Sequence, residues 1–220
     1  ASQIFVVDSH DDRLKLAERL GDAARAITLP LFRNHGLTDN KLGDAGFDPV
    51  TKADRDAEAA MREILEREAP DDAINGEEFG LKDGTSGWTW YLDPVDGTRN
   101  FAAGKPPFGI IIARADGGVA QSGWIYDCLT GRFCSAHRGA GAMIDGERVA
   151  SRPTGQSPPV AAISLIFMEQ QRRDATRRHI APAYELVDIP YCAAEQYPRL
   201  ALGTNDVSIF ERTLAWDHAA

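Results

Sequence analysis

The sequence predicts an α+β protein in which helices come first and a layered sheet follows. Apolar residues recur at the helical period over the first forty residues and again after residue 51. After Pro70 the pattern changes to short apolar runs bounded by Gly, Pro and Asp, which is typical of strands. With 43% hydrophobic and 26% charged residues, the 220-residue chain can bury a substantial core, which excludes wholesale disorder.

Two amphipathic helices are predicted at the start of the chain. Ser9 is placed to cap the first, whose apolar face is formed by Leu14, Ala17, Leu20, Ala24, Ile27 and Leu31. The glycines and proline of Lys41–Pro49 indicate a loop. The second helix begins near Thr51 or Asp54, which have the spacing of a capping box, and it closes at Pro70.

An antiparallel or mixed sheet is expected next, with Gly-rich hairpin turns at Gly117-Gly118 and Gly139–Gly141. Its predicted strands are Trp88–Leu92, Phe108–Ala113, Gly123–Tyr126, Phe133–Ala136 and Ala142–Ile144.

The Pro/Ser/Gly stretch Ser151–Pro159 is the predicted boundary between two parts, residues 1–150 and residues 151–220. The second part is expected to contain the strands Val160–Phe167, Glu185–Ile189 and Val207–Phe210, and the helices Glu169–His179 and Ala193–Gly203.

The charge and the cysteines restrict the class of protein. A net charge of −9 argues against a general binder of nucleic acid or anionic membranes, and it is compatible with a site that collects cations. No apolar run reaches the length of a membrane span, and no signal-peptide pattern begins the chain. Three cysteines without CxxC spacing disfavour a disulfide framework, so we expect a cytoplasmic protein.

The acidic residues of most interest lie at the ends of apolar runs. Glu77 and Glu78 follow the run Ala73-Ile74, where they would form a charged turn or, if one reaches an ion, part of a metal site. Asp93 and Asp96 follow the strand ending at Leu92 and are separated by Pro94 and Val95, which brings both carboxylates to one place.

The residues that follow Asp96 can form an anion-binding site. Gly97 and Thr98 stand at the start of a predicted short helix, where backbone N–H groups can face a phosphate. An ordinary Asp-Gly turn is the alternative for this hexapeptide taken alone. Asp217 is predicted to cap a helix that begins at Ala219, beside His218.

In this order, four segments resemble the inositol monophosphatase superfamily of metal-dependent phosphomonoesterases. They are Val50–Asp54, Gly76–Glu78, Asp93–Thr98 and Trp216–Ala219, and Asn100-Phe101 extends the third. The resemblance implies a layered α/β/α/β sandwich of the inositol monophosphatase and sugar phosphatase type, usually assembled as a homodimer. It also implies a cofactor of two or three Mg²⁺ ions and a small phosphorylated metabolite as substrate.

The same resemblance implies roles for individual residues. Its expected metal ligands are Glu77, Asp93, the Val95 carbonyl, Asp96 and Asp217, with Glu78 in the outer part of the cluster. Gly97 and Thr98 would bind the phosphate, and Glu77 and Thr98 would orient and help deprotonate the attacking water. Asp54 would act through a water molecule held by the metal.

The substrate end departs from the family pattern. Members that act on inositol phosphates carry a glutamate that contacts the polyol, and an ungapped count from Trp216-Asp217 puts Phe210 at that position with Glu211 one residue later. A one-residue shift in a strand reverses the face, so Glu211 is not expected to reach the site, which argues against specificity for inositol phosphates. Asp96, Ala193 and Glu211 are the substrate-binding candidates, within a wall formed by Tyr191, Cys192, Ala193 and Ala194.

The leading hypothesis is therefore Mg²⁺-dependent hydrolysis of inositol monophosphate or a related polyol or sugar phosphate. Histidinol phosphate is the alternative substrate, favoured by Arg99, which is more usual among histidinol-phosphatase-like members. A nucleotide phosphate also stays open, as does a non-catalytic, metal-binding scaffold. Family members continue beyond the Trp-Asp motif into a helix and strands, so we expect the 220 residues to lack those last elements.

Overall fold

The computed structural model describes residues 10–33, 38–40 and 49–220. The cap at Ser9 and most of the predicted loop, residues 41–48, lie outside the described residues. The helices are α1 (His10–Leu31), α2 (Lys52–Glu68), α3 (Thr98–Ala102), α4 (Gln170–Ile180), α5 (Ala193–Ala201) and α6 (Ala215–His218). The strands are β1 (Thr38–Asn40), β2 (Pro49–Thr51), β3 (Ala73–Gly76), β4 (Gly80–Lys82), β5 (Trp88–Asp96), β6 (Gly109–Asp116), β7 (Val119–Asp127), β8 (Phe133–His137), β9 (Gly141–Ile144), β10 (Glu147–Val149), β11 (Val160–Ser164), β12 (Glu185–Asp188) and β13 (Val207–Phe210).

The two long N-terminal helices form one layer, as the periodicity predicts. α1 and α2 pack on each other, and they cover the central strands, α1 in contact with β6 and α2 in contact with β5. The side chains they bury together include Leu20 and Ala24, which belong to the predicted apolar face of α1, and Ala57 and Met61 of α2. Their burial against the sheet, rather than helix propensity alone, is what stabilises these helices.

The second layer is an eight-stranded mixed sheet in the order β10-β9-β8-β7-β6-β5-β3-β4. Only its β3–β5 pairing is parallel, which confirms the expected antiparallel or mixed sheet. The sequence pattern misses β1, β2, β4 and β10, and each of these strands has three residues. A run of three residues is too short to display the two-residue alternation by which a strand is recognised.

Both faces of the large sheet are covered. Ile110 and Ile112 of β6 pack into the core that contains the N-terminal helices, whereas Ile111 packs with Ala193 and Ala194 at the start of α5. Successive side chains of a strand point to opposite faces, so an unbroken apolar run such as that of β6 is expected where both faces are buried.

The third and fourth layers come from the C-terminal part of the chain. α5 contacts both the large sheet and β13, and it therefore lies between the large sheet and a second, three-stranded sheet. That small sheet is parallel, in the order β12-β11-β13. The layers therefore alternate as α/β/α/β, as the resemblance implies. The division of the chain at Ser151–Pro159 stays a prediction.

Three predicted boundaries near the cavity described below are wrong. β5 does not end at Leu92 but continues to Asp96, because its pairing with β6 resumes at Asp96 after an irregularity. β11 ends at Ser164. Asp217 does not cap a helix that begins at Ala219: it lies inside α6, whose N-cap is Leu214.

No helix in the described part of the chain is both long enough and apolar enough to span a membrane.

Candidate metal and phosphate site

A cavity opens where the carboxyl ends of strands from both sheets converge. Glu77 directly follows β3, and Asp93 and Asp96 lie at the end of the neighbouring strand β5. On the opposite side, Ser164 ends β11 and Phe210 ends β13. Parallel strands bring their carboxyl ends to one edge of a sheet. Acids that follow separate apolar runs in the sequence therefore lie close together in space.

The parallel pairing of β3 with β5 sets Glu77 beside Asp93. Gly76 is aligned with Leu92, and the Glu77 amide donates to the Leu92 carbonyl at 3.1 Å. The next residue on each strand is a carboxylate. Asp93 is almost fully buried, and its Oδ1 accepts a hydrogen bond from the Val95 amide at 3.0 Å, which fixes the orientation of its side chain.

Asp217 completes a trio of carboxylates from three separate elements. Glu77, Asp93 and Asp217 each offer an oxygen, and these oxygens all lie within 4.8 Å of one another. α6, which carries Asp217, packs on β5 and β6, so the trio does not depend on a single loop. Hard cations such as Mg²⁺ prefer oxygen ligands of this kind, and the donor set therefore fits such an ion.

The mutual repulsion of these acids appears in their ionisation. Burial, followed by the charges of Glu77, Asp96 and Asp217, raises the pKa of Asp93 well above its ordinary value. Burial, with the charges of Asp96 and Glu77, raises the pKa of Asp217 to about 7. A cation between the carboxylates would remove this repulsion and restore their ionised forms.

Asp96 differs from the trio in how its carboxylate is held. Its Oδ2 accepts a hydrogen bond from the Ala194 amide at 2.6 Å, and the Cys192 thiol contacts its backbone carbonyl at 3.7 Å. Burial raises the pKa of Asp96 to about 6, although the hydrogen bonds from Ala194 and Cys192 act in the opposite direction. Asp96 therefore connects the metal side of the cavity to the start of α5.

Thr98 links the turn that follows Asp96 to the second helix. Its Oγ1 lies 2.9 Å from the Val95 carbonyl oxygen and 3.2 Å from Asp54 Oδ1. A hydroxyl has one proton to donate, so it serves one of these acceptors at a time. Asp54 is nearly fully buried in the first turn of α2, and its position beside Thr98 is fixed by that helix.

Gly97 occupies a backbone position that a side chain would disturb. Its φ is +87°, and a Cβ there would lie 3.0 Å from the Pro107 carbonyl oxygen and 3.2 Å from the Cys192 Cβ. Glycine adopts this left-handed conformation without the steric cost that other residues incur. The chain can therefore turn sharply from Asp96 into α3 and keep its backbone close to the cavity.

Most residues of the predicted substrate wall lie on the cavity. Tyr191, Cys192 and Ala193 border it, whereas Ala194 contributes its amide to Asp96. Glu211 also borders the cavity, but its Oε1 accepts a hydrogen bond from the Phe167 amide. Phe210 borders the cavity as well, and its ring packs against Tyr197 and His218.

An aromatic and cationic group borders the same cavity, and of its three residues only Arg99 is singled out from the sequence. The sequence predicts Phe167 as the last residue of a strand, but it lies beyond the end of β11 and the residue is 39% exposed. The Arg212 guanidinium lies 3.9 Å from the centre of its ring, and that of Arg99 lies 5.4 Å away. All three residues border the cavity. Because the three residues come from distant segments of the chain, no local sequence pattern predicts that they lie together.

The layered fold and the carboxylate trio define a class of protein: α/β/α/β sandwiches with an acidic cluster at the converging strand ends. The model of the inositol monophosphatase family matches residues 10–220, and the chain belongs to this family. The family name and the names of relatives indicate a phosphatase, a hydrolase of phosphomonoesters.

Relatives and solved structures agree with this membership. The chain is 40% identical to a histidinol-phosphatase of Mycobacterium tuberculosis over 96% of this chain and 83% of that protein. It is 35% identical to a histidinol-phosphatase of Chlorobaculum parvum over 72% of this chain, a match that spans 59% of the relative's length. An inositol monophosphatase structure from Zymomonas mobilis superposes with a TM-score of 0.79, at 30% identity, over 97% of this chain and 81% of that one.

Proposed function

We propose that this protein hydrolyses a small phosphate monoester with the help of two or three Mg²⁺ ions. The observation that carries this proposal is the convergence of Glu77, Asp93 and Asp217, whose oxygens lie within 4.8 Å of one another. The Val95 carbonyl and Asp96, which border the same cavity, are the further proposed ligands. Three clustered carboxylates need cations to be stable at neutral pH, and a phosphomonoesterase needs cations to neutralise its anionic substrate.

We propose that the phosphate binds at Gly97 and Thr98, which border the same cavity at the turn into α3. When bound, Mg²⁺ supplies charge neutralisation at the phosphoryl oxygens and lowers the pKa of a water molecule. When the Thr98 hydroxyl donates its proton to Asp54, its lone pairs are left to accept a hydrogen bond from the attacking water. Glu77 then serves as the base that receives the proton of this water.

We propose histidinol phosphate as the substrate, ahead of inositol monophosphate, which reverses the order that the sequence alone favours. The relatives that support this choice are the two histidinol-phosphatases, one of them matched over 96% of this chain. The structure adds that Glu211, the acid nearest in sequence to the polyol-binding position of the family, directs an oxygen to the Phe167 amide. A polyol would have to compete with that hydrogen bond. Inositol monophosphate remains the second candidate because the family includes relatives with that name.

The test is a phosphate-release assay on purified, metal-stripped protein with Mg²⁺ added back. Histidinol phosphate, inositol 1-phosphate, a sugar phosphate and a nucleoside monophosphate are compared by kcat/KM. We expect no turnover without a divalent cation and at least a hundredfold preference for histidinol phosphate with it. Turnover that persists in excess chelator would refute the metal role, and a preference for inositol 1-phosphate would refute the substrate.

The cellular setting and the assembly are part of the same proposal. Cys128, Cys134 and Cys192 are all free thiols, as expected in the reducing cytoplasm. We propose that the protein is a cytoplasmic homodimer without nucleic-acid or membrane partners. Sedimentation equilibrium tests the assembly, since a homodimer of this 24.0 kDa chain has twice that mass.

A further inference from the structure

A buried carboxylate outside the proposed ligand set lies directly beneath the turn that carries Glu77. The side chain of Glu58, in α2, has no solvent exposure. Its Oε2 accepts a hydrogen bond from the Glu78 amide at 2.6 Å, and its Oε1 accepts one from the Phe79 amide at 3.2 Å. Glu58 thus binds the two backbone amides that directly follow Glu77.

The neighbouring arginine closes this arrangement. The Arg62 Nε donates to Glu58 Oε1 at 2.8 Å, and its Nη2 donates to the Gly80 carbonyl. The pair therefore spans the turn from Glu78 to Gly80 and satisfies the buried carboxylate with three donors. A buried charge with this many partners is costly to disturb, because removal of one partner leaves the others without theirs.

Gly76 leaves the space that the carboxylate occupies. A Cβ on Gly76 would lie 2.1 Å from Glu58 Oε1 and 2.6 Å from Oε2, which is far inside any tolerated contact. Glu58 is also one helical turn beyond Asp54, whose carboxylate contacts Thr98. One helix therefore holds both the turn of Glu77 and the hydroxyl of Thr98.

We propose that Glu58 is a positioning residue for metal binding: through the Glu78 and Phe79 amides it holds the Glu77 carboxylate at the distance from Asp93 and Asp217 that a cation needs. This inference rests on the proposed function and extends it to a residue that does not contact the ion. Groups that orient metal ligands commonly change metal affinity about 10- to 100-fold when they are removed. Glu58 acts on the backbone that carries the ligand, and the same order of effect is expected.

The experiment measures Mg²⁺ binding directly, by calorimetric titration of the metal-stripped protein. Glu58→Gln keeps the size of the side chain but removes its charge and one acceptor. Gly76→Ala displaces the carboxylate without changing it. The matched control is Glu63→Gln, which alters an exposed glutamate of the same helix. Thermal unfolding without metal reports whether each variant is folded, and Mg²⁺-dependent phosphate release is the second readout.

We expect Glu58→Gln and Gly76→Ala to weaken Mg²⁺ binding at least tenfold and to raise the Mg²⁺ concentration for half-maximal activity by a similar factor. The Glu63→Gln control should match the wild type in both. Wild-type affinity in either folded test variant would overturn the inference, as would complete unfolding of both, since Glu58 would then be required for the fold itself. If the wild-type protein binds no Mg²⁺, the proposed function fails instead.

Discussion

Replacement of Asp93 with Asn should have opposite effects on stability and on activity. Asparagine keeps a side-chain oxygen that can accept the hydrogen bond from the Val95 amide, which is 3.0 Å long in the wild type. The local backbone conformation should therefore be retained. The substitution removes one negative charge from the centre of the carboxylate trio. Without metal this charge is a source of repulsion, whereas with metal it is a ligand.

The size of the effect on stability follows from the geometry. Two unit charges 4.8 Å apart repel each other by about 3.5 kcal/mol at an effective dielectric constant of about 20, and Asp93 has two such neighbours, Glu77 and Asp217. Burial, together with the charges of Asp96 and Glu77, raises the pKa of Asp217 to about 7, so proton binding relieves part of this repulsion near neutral pH. At pH 8 most of that relief is lost. We therefore expect the metal-free variant to be more stable than the wild type by about 2 kcal/mol or more, a rise in Tm of about 4–8 °C for a chain of this size.

Differential scanning calorimetry in chelator at pH 8 measures this difference in stability. Repeating the scans with added Mg²⁺ tests the opposite effect, in which the metal stabilises the wild type more than the variant. Mg²⁺ should raise the Tm of the wild type much more than that of the variant, and phosphate release by the variant should fall about a thousandfold or more. The reasoning is refuted if the metal-free variant is less stable than the wild type at pH 8, because the carboxylates would then not repel one another.

Three further predictions test other parts of the site. In the native metal-free protein the pKa of Asp96 is about 6 and that of Asp217 is about 7. The unfolded chain releases the same protons near pH 4, so between these pH values the native protein binds more protons than the unfolded chain. Its unfolding free energy should therefore fall as pH rises from about 4 to about 7, and Mg²⁺ should raise Tm more at pH 8 than at pH 5 in a fluorimetric melt. Thr98→Ala should lower kcat about a hundredfold because it removes the hydroxyl beside Asp54, and Thr98→Ser should restore most of it. Gly97→Ala should cost about 1–3 kcal/mol in chemical denaturation, since its φ of +87° is strained for alanine.

The early helices, the later strands and the acids at the ends of apolar runs could be predicted because they depend on local pattern, whereas the α/β/α/β order of the layers is implied only by the family resemblance. The apolar run of β6 and the helical periods of α1 and α2 are each visible in a short window of sequence. Glu77 and Asp93 each follow an apolar run, but they meet because β3 pairs in parallel with β5. Local pattern does not predict that pairing, and only the family resemblance places the two acids in one site.

The parts that could not be predicted depend on contacts between distant segments. In the sequence, Glu58 and Arg62 have the four-residue spacing of an ordinary ion pair on a helix surface. Glu58 is buried only because Gly76 leaves space for its carboxylate beside the turn that follows β3. The orientation of Glu211 is set by the Phe167 amide, 44 residues earlier in the chain. The start of α6 was also predicted wrongly, because a helix of four residues is too short to display a helical period.

The most direct test of the central claim is a crystal structure of the protein soaked with Mn²⁺, with data collected near the manganese absorption edge. Mn²⁺ takes the same oxygen ligands as Mg²⁺ and can be located by its anomalous signal. We predict an anomalous peak about 2.2 Å from carboxylate oxygens of Glu77, Asp93 and Asp217. A fully occupied Mn²⁺ elsewhere, with no peak among these three carboxylates, would contradict the account.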